Sequence, residues 1–372
     1  MARTFLPEPI ATLPWQVLFP LTLLVLFGAA VLDSAAGGSF WTYSFTHLLR
    51  FVVFTIMAIV ISRFPRDLVQ MAAYPLYAAV VVMLLGVEAL GAVSGGSRRW
   101  LDLGIVRLQP SELMKPAIVL ALANYYQALP AGMTSNWRSL IPVGVLVAVP
   151  IGLVALQPDL GTAMAIAFSG VAVIFLAGLP ARWFIGAGLA GAIGAPIVFF
   201  LGLHDYQRNR VYTFLAPESD PLGTGYHITQ SKIAIGSGGI FGKGFGHGSQ
   251  SHLAYLPEPH TDFVFATMAE EWGLFGGLFV LLVFGIVLRW GWTVARRAPD
   301  RFARLVAGGM VVTMFFYAAI NISMVLGVAP VVGIPLPFMS HGGTSMMTNM
   351  ICLGSLMMVE RWSRRATPRR FG

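Results

Sequence analysis

The sequence predicts an all-α integral membrane protein with about ten transmembrane helices, both termini cytoplasmic, and a large extracytoplasmic loop between helices 7 and 8. Three observations carry this. Of 372 residues, 56% are hydrophobic and only 11% charged, and mean hydropathy is +0.74, which suits a chain solvated mainly by lipid. About ten apolar runs approach the roughly 20 residues that a helix needs to cross hydrocarbon. Basic residues gather in loops that an even number of spans puts on one side. The runs are too long and too continuously apolar for barrel strands, and hydrocarbon tolerates no unpaired backbone, so helices remain.

In order, the expected spans cover roughly 15–32, 48–62, 71–93, 112–128, 139–157, 160–179, 182–203, 262–290, 302–328 and 344–361. The first follows Arg3 and is long enough to stay as an anchor, unlike a cleaved signal peptide. No repeat, low-complexity tract or soluble domain interrupts the series, so residues 1–372 read as one polytopic domain with a loop at about 204–261 and a tail at about 362–372. Cys352 is the lone cysteine, makes no internal disulfide and reads as packing in the last span. Glu88 in span 3 reads as a residue that hydrogen-bonds between helices.

The net charge of +8 is an orientation signal and not a nucleic-acid footprint. Arg63 and Arg66 follow span 2, Arg289 to Arg304 separate spans 8 and 9, and Arg361 to Arg370 fill the tail, near anionic lipid. The lysines Lys115, Lys232 and Lys243 fall on the opposite, outer side, with Arg98, Arg99, Arg107, Arg208 and Arg210. Basic residues kept against the orientation rule need another reason, and an anionic ligand supplies one.

Polar chemistry collects at four outer junctions. In SGGSRRWLDLGIVRLQPSELMKP, Trp100 and Leu101 suggest an interfacial segment, Ser111 suits a helix cap, and Glu112 and Lys115 share a helical face. That pair reads either as a neutralised helix end or as the lining of a polar cavity. In LQPDLGTA, Pro158 ends span 5 and Asp159 suits the cap of span 6, on the side that holds Glu112. YHITQSKIAIGSGG reads as a short amphipathic helix. The glycine-rich stretch after it fits neither the phosphate-loop nor the dinucleotide spacing, which leaves tight turns or close approach to a ligand, with Lys243 and His247 displayed. In PEPHTDFVFATMAEE, Thr261 suits a cap, Asp262 falls in the first turn of span 8, and Glu270 and Glu271 need partners. In VAPVVGIPLPFMSHGGTSMM the backbone is broken, which survives at membrane depth only inside protein or beside a wet cavity.

Taken together, RRWLDLGIVRLQPSELMK, LQPDLGTA, LPEPHTDFVFATMAEEWG and GIPLPFMSHGGTS resemble the SEDS family (shape, elongation, division and sporulation), in its RodA branch. The resemblance implies a peptidoglycan glycosyltransferase in the bacterial cytoplasmic membrane, polymerising lipid II during elongation beside a class B penicillin-binding protein. It makes Asp262 the essential outer aspartate and catalytic base, and Glu112, Lys115 and Asp159 site residues. His341 stands where the family pattern suggests an aromatic residue. The chemistry needs a base near the acceptor hydroxyl and positive charge near the departing pyrophosphate. Arg98, Arg99, Arg208, Arg210, Lys232 and Lys243 are candidate cations, as is a divalent ion, Mg²⁺ or Mn²⁺, shared with the phosphates. A helix N-terminus lowers a carboxylate's pKa, so a base at Asp262 needs burial to compensate. A lipid II flippase, or an inactive scaffold for a partner, is the competing expectation.

Overall fold

The computed structural model describes residues 13–90, 92–94, 97–102, 107–130, 132–202, 208, 212–213, 216, 224–253, 255–256 and 258–366. Arg210, Pro257 and residues 367–372 lie outside this set, as do the side chains of Glu88 and Arg98.

The described chain forms α1 (Trp15–Ala35), α2 (Ser44–Ile61), α3 (Arg66–Leu90), α4 (Pro110–Ala128), α5 (Trp137–Leu156), α6 (Leu160–Leu176), α7 (Ala181–Ile197), α8 (Thr224–Gly238), α9 (Ser249–His252), α10 (Val264–Arg296), α11 (Arg301–Val325) and α12 (Gly343–Ala366). A helix stands at each apolar run. By length and composition α1, α2, α3, α5, α10 and α11 are apolar enough to cross a membrane. The YHITQSKIAIGSGG stretch, expected as a short helix, lies in α8. The all-α expectation holds, with one small addition: β1 (Ala92–Ser94), β2 (Ser97–Asp102) and β3 (Arg107–Leu108) pair antiparallel in sequence order. Trp100 and Leu101 therefore sit in a strand, after a Ser-Gly-Gly-Ser stretch with turn composition.

α11 is the central helix, packed against α4, α6, α10 and α12. Close approach uses glycine: a Cβ built on Gly354 of α12 lies 2.8 Å from the Ala58 carbonyl of α2, so only a bare backbone fits there. The connections sort into two ends. At one end Arg66 pairs with Asp300 at 3.2 Å, Arg301 reaches the Ala177 carbonyl, and Arg361 reaches the Arg63 carbonyl. This end gathers the arginines of the α2–α3 and α10–α11 turns and of α12. At the other end lie the sheet, α8, α9 and the turns that carry Asp159, Asp262 and His341.

α10 is not one continuous helix. Gly273 adopts φ 61° and ψ −153°, which interrupts the hydrogen-bond ladder inside an apolar element. The glycine-rich stretch repairs it. The amides of Lys243 and Gly244 donate to the carbonyls of Glu270 and Glu271, and Leu274 donates to Gly239, each at 3.0 Å. Such contact requires missing side chains. A Cβ would fall 2.0 Å from Ala269 O at Gly238, 2.1 Å from Glu271 O at Gly242, and 2.4 Å from Gly242 N at Gly273. The glycines therefore approach α10, not a ligand. The adjacent acids find partners in the same joint. Glu270 accepts from Lys243 at 2.6 Å and from the Gln250 amide at 3.1 Å, and Glu271 accepts from Ser34 and lies 3.6 Å from His252.

Gly273→Ala sets positive-φ strain and a backbone clash at one site, an expected loss of more than about 2 kcal/mol. Gly277→Ala meets only Phe265 at 3.8 Å and gains helix propensity of up to about 1 kcal/mol. Thermal melts of both variants in detergent check this, with a lowered midpoint expected only for the first.

Candidate active site

Asp262 lies in the turn before α10, which starts two residues later than the sequence predicts. The helix N-cap is Phe263, with no side-chain cap. Thr261 does not cap either; its hydroxyl donates to the Glu258 carboxylate at 3.1 Å. The turn is held through its backbone. His260 O accepts from the His341 amide at 2.9 Å, Thr261 O from Ser340 Oγ at 2.6 Å, and Asp262 O from Asn321 Nδ2 at 2.8 Å. Both braces are shared with the broken segment between α11 and α12. Asn321 also donates to Ile334 O at 2.7 Å, and Ser340 Oγ accepts from the Leu336 amide at 2.8 Å. Asn321 is fully buried and its Oδ1 has no partner, a burden of about 1–3 kcal/mol that its two donated bonds must offset.

Nothing comparable holds the Asp262 carboxylate. Among the described residues it accepts no hydrogen bond and meets no cation. It packs over bare backbone: a Cβ on Gly333, whose φ is +70°, would sit 3.4 Å from Asp262 Oδ2. The residue keeps partial exposure, yet burial, with a smaller contribution from the neighbouring Glu258 charge, pushes its pKa from 3.8 up to about 6. The lowering expected at a helix start does not occur, because the carboxylate caps no amide. His260 stacks on Tyr43 at 4.3 Å, and burial lowers its pKa, so it brings no compensating charge at neutral pH.

Two further polar groups adjoin this turn. Asp159 caps α6 as expected, accepting from the Thr162 amide at 3.1 Å. It also accepts from Gln109 at 3.1 Å and lies 4.0 Å from Arg99, which donates to Pro158 O at 2.7 Å. A Cβ on Gly161 would fall 2.5 Å from Val332 O. Consecutive residues Val332 and Gly333 thus touch the start of α6 and Asp262. Deeper, Lys115 donates to Glu112 at 2.5 Å and to Tyr317 Oη, and Tyr317 donates to Glu112. All three are buried. Tyr317 and Asn321 are one turn apart on α11, about 6 Å along its axis, so one helix fixes the triad and the Asp262 turn together. α4 itself starts with Pro110 at N1 after Gln109; Ser111 is buried inside the helix and is not its cap.

The remaining candidates divide. Lys243 belongs to the α10 joint through Glu270. Lys232 is exposed and lies over Gly327 at the end of α11, where a Cβ would meet its Nζ at 2.7 Å; it has no acidic partner among the described residues. Arg208 is partly exposed. Arg210 and the Arg98 side chain lie outside the described set. His341 sits 5.0 Å from Tyr43, ring to ring. Burial and the Arg50 charge lower its pKa to about 4, and its Nε2 accepts from Arg50 at 3.2 Å. Arg50 was missed because it falls inside an apolar run. Its signal was that position, since an ionisable residue within a span defaults to a functional reading. Its partner is the neutral His341 imidazole, so among the described residues its positive charge meets no acid beside the Asp262 turn. Among the described residues no three His, Cys, Asp or Glu side chains form a metal cage.

A bundle of apolar helices with a half-buried carboxylate at one end, unpaired among the described residues, defines a multi-pass membrane protein with an end-facing polar site. Residues 10–365 match the cell cycle protein family of FtsW, RodA and SpoVE, and the chain belongs to that family. It is 43% identical over 349 residues to "Peptidoglycan glycosyltransferase MrdB" of Escherichia coli (strain K12), covering 93% of each chain. It superposes with TM-score 0.80 and 31% identity on a chain of a solved peptidoglycan synthase complex that coordinates polymerization and crosslinking, covering 94% of this chain and 98% of that one. Against the rod shape determining protein RodA of Thermus thermophilus the TM-score is 0.70 at 28% identity, covering 93% and 96%.

The buried triad makes a stability prediction. Lys115→Met strands the Glu112 carboxylate and is expected to cost about 3–5 kcal/mol, while adding Glu112→Gln restores much of it. Denaturation midpoints of single and double variants check this; equal losses in both would contradict it.

Proposed function

We propose that this chain is a peptidoglycan glycosyltransferase. It polymerises lipid II, the undecaprenyl-pyrophosphate disaccharide-pentapeptide, into glycan strands at the outer face of the bacterial cytoplasmic membrane during cell elongation, beside a class B penicillin-binding protein. The observation that carries the reading is the Asp262 carboxylate, fixed in place, free of partners and tuned to about 6. Similarity to MrdB and to the synthase complex chain supports it. In this reading all ten long helices cross the membrane, the arginine-rich end faces the cytoplasm, and Asp262 faces out.

The chemistry follows from the residues. The acceptor sugar hydroxyl attacks the anomeric carbon of the donor, and Asp262 takes the hydroxyl proton. A new C–O bond forms as the C–O bond to pyrophosphate breaks, and the electron pair leaves on the lipid pyrophosphate. A base with a pKa near 6 is ionised at neutral pH yet more basic than an ordinary carboxylate. Arg50 and Lys232, neither matched by an acid among the described residues, are the cations suited to the phosphates, whereas Arg99, Lys115 and Lys243 are already engaged. A divalent cation, Mg²⁺ or Mn²⁺, fits as a substrate-borne ion. Such an ion needs only one or two carboxylates besides phosphate oxygens, and the exposed Glu258 beside Asp262 would hold it and add positive charge at the leaving group. The flippase reading gains no observation of its own, since the buried carboxylates of Glu112, Glu270 and Glu271 each meet a cation or a histidine.

Glycan synthesis by the purified full chain from lipid II, with and without the penicillin-binding partner, tests this. Asp262→Asn is expected to lower the rate by at least about 10²-fold without loss of folded protein, and EDTA to suppress turnover reversibly. Undiminished synthesis by the variant removes Asp262 as the base; synthesis indifferent to EDTA transfers the metal's role to Arg50 and Lys232.

A further inference from the structure

The three carbonyls of His260, Thr261 and Asp262 are all taken by donors on α11 or on the segment that follows it. Two of those donors are side chains that do nothing else of equal consequence. Asn321 spends both donated bonds on two loops, Asp262 O on one and Ile334 O on the other, and leaves its own oxygen unpartnered in the interior. An apolar residue would fill the same space on α11 without that orphan, so packing does not account for an amide here. Ser340 repeats the arrangement one residue earlier, donating to Thr261 O while accepting from Leu336.

We propose that Asn321, with Ser340 as its second support, is a positioning residue that sets where the Asp262 carboxylate points. The inference rests on Asp262 as the base. α11 is the rigid element behind it, since Tyr317 on the same face anchors Glu112 and Lys115. The amide grips the backbone of Asp262 and not its carboxylate, so the aspartate is oriented while its side chain stays free to accept a proton. Gly333, adjoining Ile334, lies against the carboxylate itself, so the loop that Asn321 ties to the turn is also the surface on which the carboxylate rests. Losing the tie lets the two loops separate, and a displacement of about 1 Å at a reacting group is enough for a loss on the order of 10²-fold.

The test compares wild type, Asn321→Leu, Ser340→Ala and Asp262→Asn as full chains on lipid II, with melting midpoints and pH profiles for each. Asn321→Leu is expected to lose about 10²-fold in kcat with KM within about threefold, and Ser340→Ala a smaller part of the same loss. The acidic limb of the Asn321→Leu profile should shift from wild type, because the carboxylate's surroundings change; a merely structural role would leave that limb in place and lower only the amount of active protein. Asn321→Leu with wild-type kcat, or with a loss that tracks folded fraction alone, overturns the proposal. Should Asn321→Leu not fold, Ser340→Ala decides the matter by the same criteria. Full activity of Asp262→Asn would instead sink the base assignment, a separate failure read from a separate variant.

Discussion

Everything at the Asp262 end of this protein depends on a division of labour within one short turn. The backbone carbonyls of residues 260–262 are all bonded, while the side chain of Asp262 accepts no hydrogen bond among the described residues. Backbone carbonyls buried without donors are expensive, so the bonds from His341, Ser340 and Asn321 fix the turn firmly. A buried carboxylate without donors is also expensive, and here that expense is left standing. It appears as basicity, because desolvation disfavours the charged form. A surrounding structure that over-determines the backbone is what allows such a side chain to persist.

The same logic extends to the two places where the chain breaks beside apolar helices. The Gly273 interruption in α10 is closed by the backbone of residues 239–244, and the segment from Gly327 to Gly342 is closed by Asn321, Ser340 and His47, whose ring bonds to Phe338 O at 3.1 Å. Phe338 and Glu258 both adopt positive φ, so strained backbone flanks the Asp262 turn on both sides. Irregular backbone is tolerated here because other protein segments satisfy it. The outcome is a bundle whose regular helices hold an irregular, well-bonded cap.

Much of this was legible in the chain. Apolar runs located the helices, because continuous hydrophobicity over a helix length is a strong local signal, and Asp159 announced its capping role by position. Boundaries failed where polar residues are buried. α2 begins at Ser44, four residues before the apolar run, because Ser44 bonds to Ala29 O at 2.8 Å and His47 is enclosed. The role of the glycines at 238–244 depends on a break in a helix some thirty residues later. The braces on Asp262 come from residues 59 and 79 positions away from their acceptors. Local pattern carries no trace of such pairings, and only the family resemblance singled out Asp262 from an ordinary helix-start aspartate.

The central claim, that Asp262 is held ionised against its surroundings, is tested most directly by comparing thermal stability of wild type and Asp262→Asn across pH. A folded-state pKa of about 6 against an ordinary 3.8 means that the folded protein favours the protonated acid. Below about pH 4 both forms carry a neutral side chain and should melt alike. As pH rises from 4 through 6 the wild type alone acquires a buried charge, so the variant should become the more stable, by about 2 kcal/mol once partial exposure is allowed for. A variant that is equally or less stable than wild type at pH 7.5 would show that Asp262 has a stabilising partner, and would contradict the account.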